Sequence, residues 1–457
     1  MKRSQEKIAE FFMDESVTTV TAVRWIPTHS ISKAKFTSKY SPSMGGSSDH
    51  LDEEDSDEDL DVSTPENLEA VSDAVDDDIG AEFNMDKYDE EDAEDRTHLL
   101  SNVDADLKLA KEKDAFLNDE VSDSEDDEYY EIKDGDVLFV SANVEEDACT
   151  IEVFLHDTFE GGMYVHHEIL IGSYPLALEY IPTMGSASAL LAIGAFDPKI
   201  DIWELGAQDP IEPIVQLGKK KGHTDAVISL HLCPQNQSAL ASGSADKTVR
   251  IWDLNRGTSV STLTHHNDKV QSVRWHPMEA GILMSASYDK SVCISDQRMD
   301  GGAAAIVKLA HDPECTLWSH HSPSIILVSD ERGYISAYDV RNTASLPIWS
   351  IQAHQKGACT SFTDVVGHAD LLVSAGIDGV ANVWKSTKCM TKPELVFSRD
   401  LLAGPLFSVS SHDDDPSLVV FGGTCPVLWN ITNSDVVCKT FPTLPGADDP
   451  IHDEVAM

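Results

Sequence analysis

VRIWDL at residues 249–254 closes an apolar, alternating stretch on an aromatic, and the phrase returns as IDIWEL (200–205), ISAYDV (335–340), ANVWKS (381–386) and PVLWNI (426–431). Two weaker copies, VCISDQ (292–297) and IEVFLH (151–156), extend the series. The key position falls at Phe154, Trp203, Trp252, Ser295, Tyr338, Trp384 and Trp429, at intervals of 49, 49, 43, 43, 46 and 45 residues. A period of about 40 to 50 residues with several short strands belongs to a β-propeller, whereas helical solenoids mostly have shorter, helix-patterned repeats. Seven copies predict an all-β, seven-bladed propeller.

The best copy gives the order within a blade. GHTDAVISLHLCP (222–234) reads as the inner strand, SALASGSAD (238–246) as the second, TVRIWDL (248–254) as the third and TSVSTLT (258–264) as the outer. Each alternates or is short and β-branched, between Gly, Pro, Asn or Asp turns, so four antiparallel strands are expected per blade. Far upstream, VTAVRWIP (20–27) matches VQSVRWHP (270–277) at Val, Val, Arg, Trp and Pro. Residues 17–27 therefore read as the inner strand of blade one, whose other strands begin at DVLFVSANV (136–144). The expected division is an N-terminal segment at 1–16, that strand at 17–27, an insertion at 28–135, the propeller at 136–445 and a tail at 446–457.

Charge is spread unevenly. Of the formal net charge of −47, residues 49–136 hold 37 acidic against six basic side chains, in runs such as DEEDSDED (52–59) and SDSEDDE (122–128). Like charges at that density repel and offer little apolar area, so the insertion is expected to be a long disordered acidic segment. Such a segment attracts cationic partners, with strong salt dependence, and repels the phosphates of bare nucleic acid. Basic proteins, histones among them, are the expected partners; a purely solubilising role is the plainer alternative. Ser56, Ser122 and Ser124 each have an acidic residue three positions on, which makes them candidate phosphosites for an acidophilic kinase. Phosphorylation would add about −1.5 to −2 per site.

No run reaches the roughly 20 apolar residues of a membrane helix, and SALLAIGAF (188–196) reads as a buried strand. Lys2 and Arg3 are followed by no apolar core before Asp14 and Glu15, so no secretory signal is expected and the chain reads as intracellular. Eight cysteines, never spaced C-x-x-C, suit reduced and buried thiols rather than a metal site or disulfide framework.

Asp lies six residues before the key position at Asp197, Asp246, Asp289 and Asp378. His lies 27 to 30 residues before it at His223, His266, His311 and His354. An Asp in the turn after strand two, a His before strand one and a Trp on strand three can form a hydrogen-bonded chain, with Ser242 or Ser244 as relay. The same spacing would suit a catalytic Ser, His and Asp set, but its recurrence in several blades favours a structural network of His223, Asp246, Trp252, His266, Asp289, His354, Asp378, Trp384, Asp197 and Trp203. The pairs His166/His167, His265/His266 and His320/His321 invite a metal reading. Adjacent strand residues point to opposite faces, however, so packing or hydrogen bonding is expected instead, and no cofactor. No phosphate loop, nucleophile elbow or zinc-protease helix occurs, so no enzyme is expected.

GH about thirty residues ahead of a WD-type dipeptide resembles the WD-repeat family, from 136 to 441, although the dipeptide is intact only at Trp252-Asp253. DKYDEED (86–92), MYVHHEILIGSYPL (163–176), GHTDAV (222–227), DKVQSVRWHPMEAGILMSASYDKSV (268–292) and VFSRDLLAGPLF (396–407) look like a narrower family within it, that of periodic tryptophan protein 1. The resemblance implies a nuclear and nucleolar protein of ribosome biogenesis and pre-rRNA processing, on the large subunit, with links to chromatin at ribosomal genes. Departures are Ser295 for Trp in blade four, Arg332 for the turn Asp in blade five and Gly423 for it in blade seven. The Lys-rich loop is short here, reduced to Lys219, Lys220 and Lys221.

Strand alternation puts the two-to-three and outer-to-inner connections on one face, and the one-to-two and three-to-four connections on the other. The insertion should leave from the second face, and Lys219 to Lys221, a candidate basic contact loop, should lie on the first. The expectation is thus a non-enzymatic scaffold, monomeric within larger complexes, in the nucleus or nucleolus, recruiting basic partners through its acidic arm, without a membrane and with RNA contact left open. Two alternatives stand beside it: a histone-binding chromatin adaptor at ribosomal genes, and a ubiquitin-ligase substrate receptor presenting Asp296-Gln297-Arg298 or Asp339-Val340-Arg341.

Overall fold

Short segments rich in Val, Ile and aromatics, cut every five to nine residues by Gly, Asp or Asn turns, cannot extend into helices and pair locally instead. The computed structural model describes residues 18–27, 37–38, 132 and 135–445, except 146–147, 159–160, 183–188, 209, 299–302, 343–345 and 387–390. All lie in one compact unit, Met1–Lys39 with Leu99–Met457; the second unit, Tyr40–His98, is outside them. The readings placed on 1–16, on nearly all of 28–135 and on 446–457 also fall outside the described residues.

Blade one is formed by Thr19–Ile26, Asp136–Val144, Cys149–Asp157 and Met163–Ile171, from the inside outward. Thr19–Ile26 pairs antiparallel with Asp136–Val144, setting Arg24 opposite Val140 and Trp25 opposite Phe139. Blades two to six follow the same order, starting from Pro175–Ile181, Val227–Cys233, Val270–Trp275, Pro313–Trp318 and Ser361–Val365. These inner strands, with Ser408–Ser411 of blade seven, touch their neighbours in a closed cycle. The chain is a seven-bladed β-propeller. Blade seven corrects the expectation of four strands throughout: among the described residues it has three, Ser408–Ser411, Leu418–Gly422 and Pro426–Asn430, followed by the helix Asp435–Thr440. Val437 of that helix, with Phe441 and Leu444 beyond it, packs into the core shared with blade six.

Seven separate apolar clusters fill the seven interfaces between blades. In six of them the third-strand aromatic of one blade packs on the blade before it: Trp203, Trp252, Tyr338, Trp384 and Trp429, and Phe154 against Leu418 and Val420 of blade seven. Burying 150–250 Å² of such a side chain is worth about 4–6 kcal/mol by transfer area. That regular reward is why the key positions keep their spacing. The cluster between blades three and four has no such aromatic, because Ser295 holds the position.

After the inner strand of blade one, Thr37–Ser38 pairs in parallel with Ala207–Gln208. That second segment belongs to the three-to-four connection of blade two, so the insertion departs along the face that carries the one-to-two and three-to-four connections.

Candidate functional site

Blade three carries the fullest polar set. His223 Nδ1 lies 2.9 Å from Asp246 Oδ2, His223 Nε2 lies 2.7 Å from Ser242 Oγ, and the Trp252 indole N–H donates to that hydroxyl at 2.8 Å. A ring nitrogen facing a carboxylate carries the proton, which leaves the other nitrogen as acceptor. The chain of donors therefore runs from Trp252 to Ser242, from Ser242 to His223 and from His223 to Asp246. Asp246 also accepts from the Thr224 N–H and from the N–H and hydroxyl of Thr248. Burial alone would raise its carboxyl, but these hydrogen bonds outweigh burial and hold it well below the carboxylate range.

Blade six repeats the arrangement: His354 meets Asp378 at 2.8 Å and Ser374 at 3.1 Å, and Trp384 donates to Ser374 at 3.0 Å. In blade four, His266 meets Asp289 at 3.2 Å and Ser285 at 2.8 Å, while Ser295 supplies no indole. Burial pushes the His266 and His354 imidazoles below their ordinary range, against the pull of Asp289 and Asp378. Blade two is a correction to the expected network. Trp203 is buried but its indole N–H has no acceptor, and the Asp197 side chain pairs with Lys199 at 3.5 Å. The cause is local: Ile193 occupies the register position that Ser242 holds in blade three, and Ser173-Tyr174 stands where Gly-His would. Blade five likewise has Val328 in the serine position and Arg332 in the turn, and His311 joins no such chain.

A Ser, His and Asp set also describes a hydrolytic triad. Here Ser242 and Ser374 have no exposed surface, and each oxygen is occupied by an indole on one side and an imidazole on the other. The hydroxyl is a relay that ties three strands to a turn.

Lys219, Lys220 and Lys221 occupy the turn from Val215–Leu217 into blade three, on the same face as the Asp246 turn. Gly218 sits at φ +92°, and a Cβ on Gly222 would lie 2.5 Å from the Gly218 carbonyl oxygen, so this turn closes only on glycines. Lys220 and Lys221 are exposed. Ser56, Ser122 and Ser124 lie outside the described residues. On the opposite face, Arg298 clasps Asp296 at 2.8 and 2.7 Å, and Arg341 clasps Asp339 at 2.9 and 2.7 Å.

The histidine pairs behave differently from one another. His320 pairs with Asp364, and His321 with Asp370 at 3.4 Å, joining blade five to blade six. At His166/His167 the opposite-face expectation fails, because a register shift opposite Val153 and Phe154 turns both rings together, with 2.8 Å between their Nδ1 atoms. Among the described residues no group of three or more His, Cys, Asp or Glu side chains could hold a metal, and no helix is long and apolar enough to cross a membrane. Cys233, Cys293, Cys315 and Cys359 are buried thiols; Cys425 is exposed.

The family model for the WD domain, G-beta repeat, matches residues 214–253 and 257–296, the two blades that hold the His223 and His266 sets. A periodic tryptophan protein 1 homolog of Drosophila melanogaster is 32% identical over 381 residues, covering 79% of this chain and 80% of that protein. The chain belongs to the periodic tryptophan protein 1 family. Periodic tryptophan protein 1 of Saccharomyces cerevisiae is 28% identical over 448 residues, 80% of this chain and 77% of that protein. A shorter match, 39% identical over 82 residues, links 16% of this chain to 18% of the ribosome biogenesis protein YTM1 of Vanderwaltozyma polyspora.

In this member of the periodic tryptophan protein 1 family, two further features escaped sequence reasoning. The inner strands of blades one to five carry a bulge near their start, at 20–22, 175–177, 227–229, 270–272 and 313–316. The bulge lets residues three apart share a side, so Thr21 and Arg24, or Gln271 and Arg274, are half-buried while their neighbours are covered. Arg24, Glu179, His231 and Arg274 thereby come together on successive inner strands. Glu179 meets Arg24 at 3.4 Å and accepts from the Leu232 N–H, and His231 Nδ1 accepts from the Trp275 N–H. Burial, then the charges of Arg274 and Arg24, hold the His231 imidazole far below its ordinary range.

The second feature is a tryptophan and histidine joint between inner strands. Trp318 meets His276 edge-on at 4.5 Å, and Trp25 meets His412 at 4.6 Å, the latter across the seam where the ring closes. Each His Nδ1 accepts two backbone N–H groups of its own turn. The VRW phrase at 23–25 and 273–275 was no signal for it, because Trp318 lies outside that phrase and Trp275, inside it, joins no such pair among the described residues.

Proposed function

We propose that this protein is a non-enzymatic scaffold of ribosome biogenesis, acting in the nucleus and nucleolus on pre-rRNA processing of the large subunit. One observation carries the reading: the likeness to the periodic tryptophan protein 1 family spans about four-fifths of the chain, with the propeller inside it. The match to a ribosome biogenesis protein over 82 residues supports the same setting. The mechanism follows from layout. A closed ring offers rigid faces on which partners can be held in register, and its buried serine, histidine and aspartate chains lock the turns of those faces. The acidic segment at 49–136 lies in sequence between the inner strand of blade one and its second strand, and gathers cationic proteins by long-range attraction. Ser56, Ser122 and Ser124, if phosphorylated, deepen that field.

The test is immunoprecipitation with quantitative mass spectrometry of the full chain and of a chain lacking residues 49–135, beside gradient sedimentation and depletion. Co-sedimentation with pre-ribosomal particles, accumulation of rRNA precursors on depletion, and loss of basic partners on deletion are expected. Co-purification with nucleosomes that survives RNase, without precursor accumulation, would instead make the protein a chromatin adaptor. An unchanged partner set in the deletion would move recruitment from the arm to the ring.

A further inference from the structure

The interface between blades three and four, which lacks a third-strand aromatic, opens into a groove of about 660 Å³. Its apolar wall includes Cys233, Ile251 and Val260 of blade three, the last 66% exposed. Three other residues that line it hold buried polar atoms with no hydrogen-bond partner: Ser295 Oγ, Trp275 Nε1 and His265 Nε2. Buried polar atoms in native proteins nearly always have partners, and three orphans around one opening mark a set that something else completes. The volume lies within the range of ligand-binding clefts.

The chemistry of the wall narrows the occupant. An indole is a donor only, a serine hydroxyl can donate, and the imidazole of His265, lowered in pKa by burial, can donate from Nε2. The groove therefore calls for uncharged acceptors. Among the described residues no Lys or Arg lines it, and Asp253 and Asp296 at its mouth are paired with Arg256 and Arg298, so nothing there is placed to hold a carboxylate or phosphate. The space itself is the one an indole fills in the neighbouring blade: Ser295 sits opposite Leu283 as Trp252 sits opposite Leu240. We infer that this groove docks an uncharged stretch of a partner polypeptide, an aromatic side chain entering beside Ser295 and peptide carbonyls accepting from Trp275, His265 and Ser295. Asn236, Gly281 and Gln297 place one end of the groove on the face that carries the one-to-two and three-to-four connections, and Thr264 and His265 line its other end.

The probe is N-acetyl-tryptophanamide, which has a ring and two amide carbonyls and no charge. Full-length protein labelled with ¹⁵N at its tryptophan indoles, the Trp275 signal assigned through Trp275→Phe, is titrated by NMR. The Trp275 signal should move downfield and saturate with a dissociation constant on the order of 1 mM, while Trp203, buried elsewhere, stays fixed. Ser295→Trp, which fills the gap, should abolish the shift. Val260→Glu, an exposed change that leaves the core intact, should weaken binding at least about tenfold, which is about 1.4 kcal/mol. No movement of Trp275 at saturating probe, or equal binding by Ser295→Trp, would overturn the inference. Equal binding of indole, which has no carbonyl, would overturn the polypeptide in favour of a small heteroaromatic ligand. A Trp275 signal already downfield and unresponsive would mean that a segment of this chain occupies the groove, which also overturns it. The scaffold reading survives each of these failures.

Discussion

Replacing Ser242 with alanine removes one oxygen and unpairs two buried groups at once. The Trp252 N–H loses its acceptor and His223 Nε2 loses its donor, both in places without solvent. A buried polar group left unpaired costs about 1–3 kcal/mol, so Ser242→Ala should lose about 4 kcal/mol. Ser285→Ala is the internal control. The same oxygen in blade four serves only His266, because Ser295 offers no indole, and its loss should cost about 2 kcal/mol. For a ring of this size, about 2 °C of melting temperature accompanies each kcal/mol, giving drops of about 8 °C and about 4 °C. Differential scanning calorimetry of the two variants, with Ser374→Ala as a second case with an indole and an imidazole partner, measures the ratio. Near-ultraviolet circular dichroism would show whether Trp252 and Trp384 loosen. Equal losses at Ser242 and Ser285 would remove the indole from the chain of donors and leave only a histidine contact.

Ser295→Trp should stabilise the protein, since it restores the aromatic that the other interfaces have and gives Ser285 the donor that Ser242 receives. Area burial of about 4–6 kcal/mol, less about 1 for ordering the side chain and about 1–3 for imperfect fit, leaves a gain of about 2 kcal/mol, read as a higher melting temperature. A lower melting temperature would show that the groove has its own shape rather than that of a missing indole. Acid should destabilise the ring early: His266, His354 and His412 are all held below the ordinary imidazole range, chiefly by burial. The folded chain refuses protons that the unfolded chain binds near pH 6.5, so this stability is present above about pH 6.5 and is lost as pH falls below it. Asp246 acts in the same direction, but only below about pH 4, where the unfolded carboxyl titrates. Melting temperatures between pH 7.5 and pH 5 should fall steadily, and a flat profile would mean that these histidines are hydrated.

The architecture was legible because an aromatic at one register position is rewarded at six of the seven interfaces. Trp203, Trp252, Trp384 and Trp429 each seal an interface, and even Ser295 keeps the register though not the side chain. The polar network forms where Asp, His and the second-strand Ser are all present, in blades three, four and six, with or without the Trp. Asp197 kept the spacing without Ser or His to receive it, so counting Asp alone admitted blade two. The register of the second strand, which puts Ile193 where Ser242 should be, is what decides membership. The bulges in the inner strands were illegible for a different reason. A bulge is set by pairing to the next strand and leaves no residue signature of its own, yet it alone decides that Arg24 and Arg274 face the same way as Thr21 and Gln271.

Ring closure shows how far a repeat can be stretched. The inner strand of blade one is separated in sequence from its own sheet by the insertion, yet it makes the bonds of an ordinary inter-blade joint. Val23 N–H donates to Ser408 Oγ as Val273 N–H donates to Ser229 Oγ, and Trp25 leans on His412 as Trp318 leans on His276. Two further bonds of the seam also have counterparts: Val20 N–H donates to the Gly423 carbonyl at 2.7 Å as Leu406 N–H donates to that of Gly376, and the Trp25 indole donates to the Ser410 carbonyl at 3.0 Å as the Trp318 indole donates to that of Arg274. Closure also requires Gly422, where a Cβ would come within 3.0 Å of Val20. Among the described residues blade seven has no outer strand and no strand is exchanged across the seam, so there closure rests on side-chain packing and these few bonds. The acidic insertion is anchored at both ends by one sheet, at Ile26 and at Asp136, beside that seam. Tension along the chain between these two strands would therefore fall first on the paired ends Ile26 and Leu138 and then on Trp25 and Phe139, beside the joint that holds the ring shut.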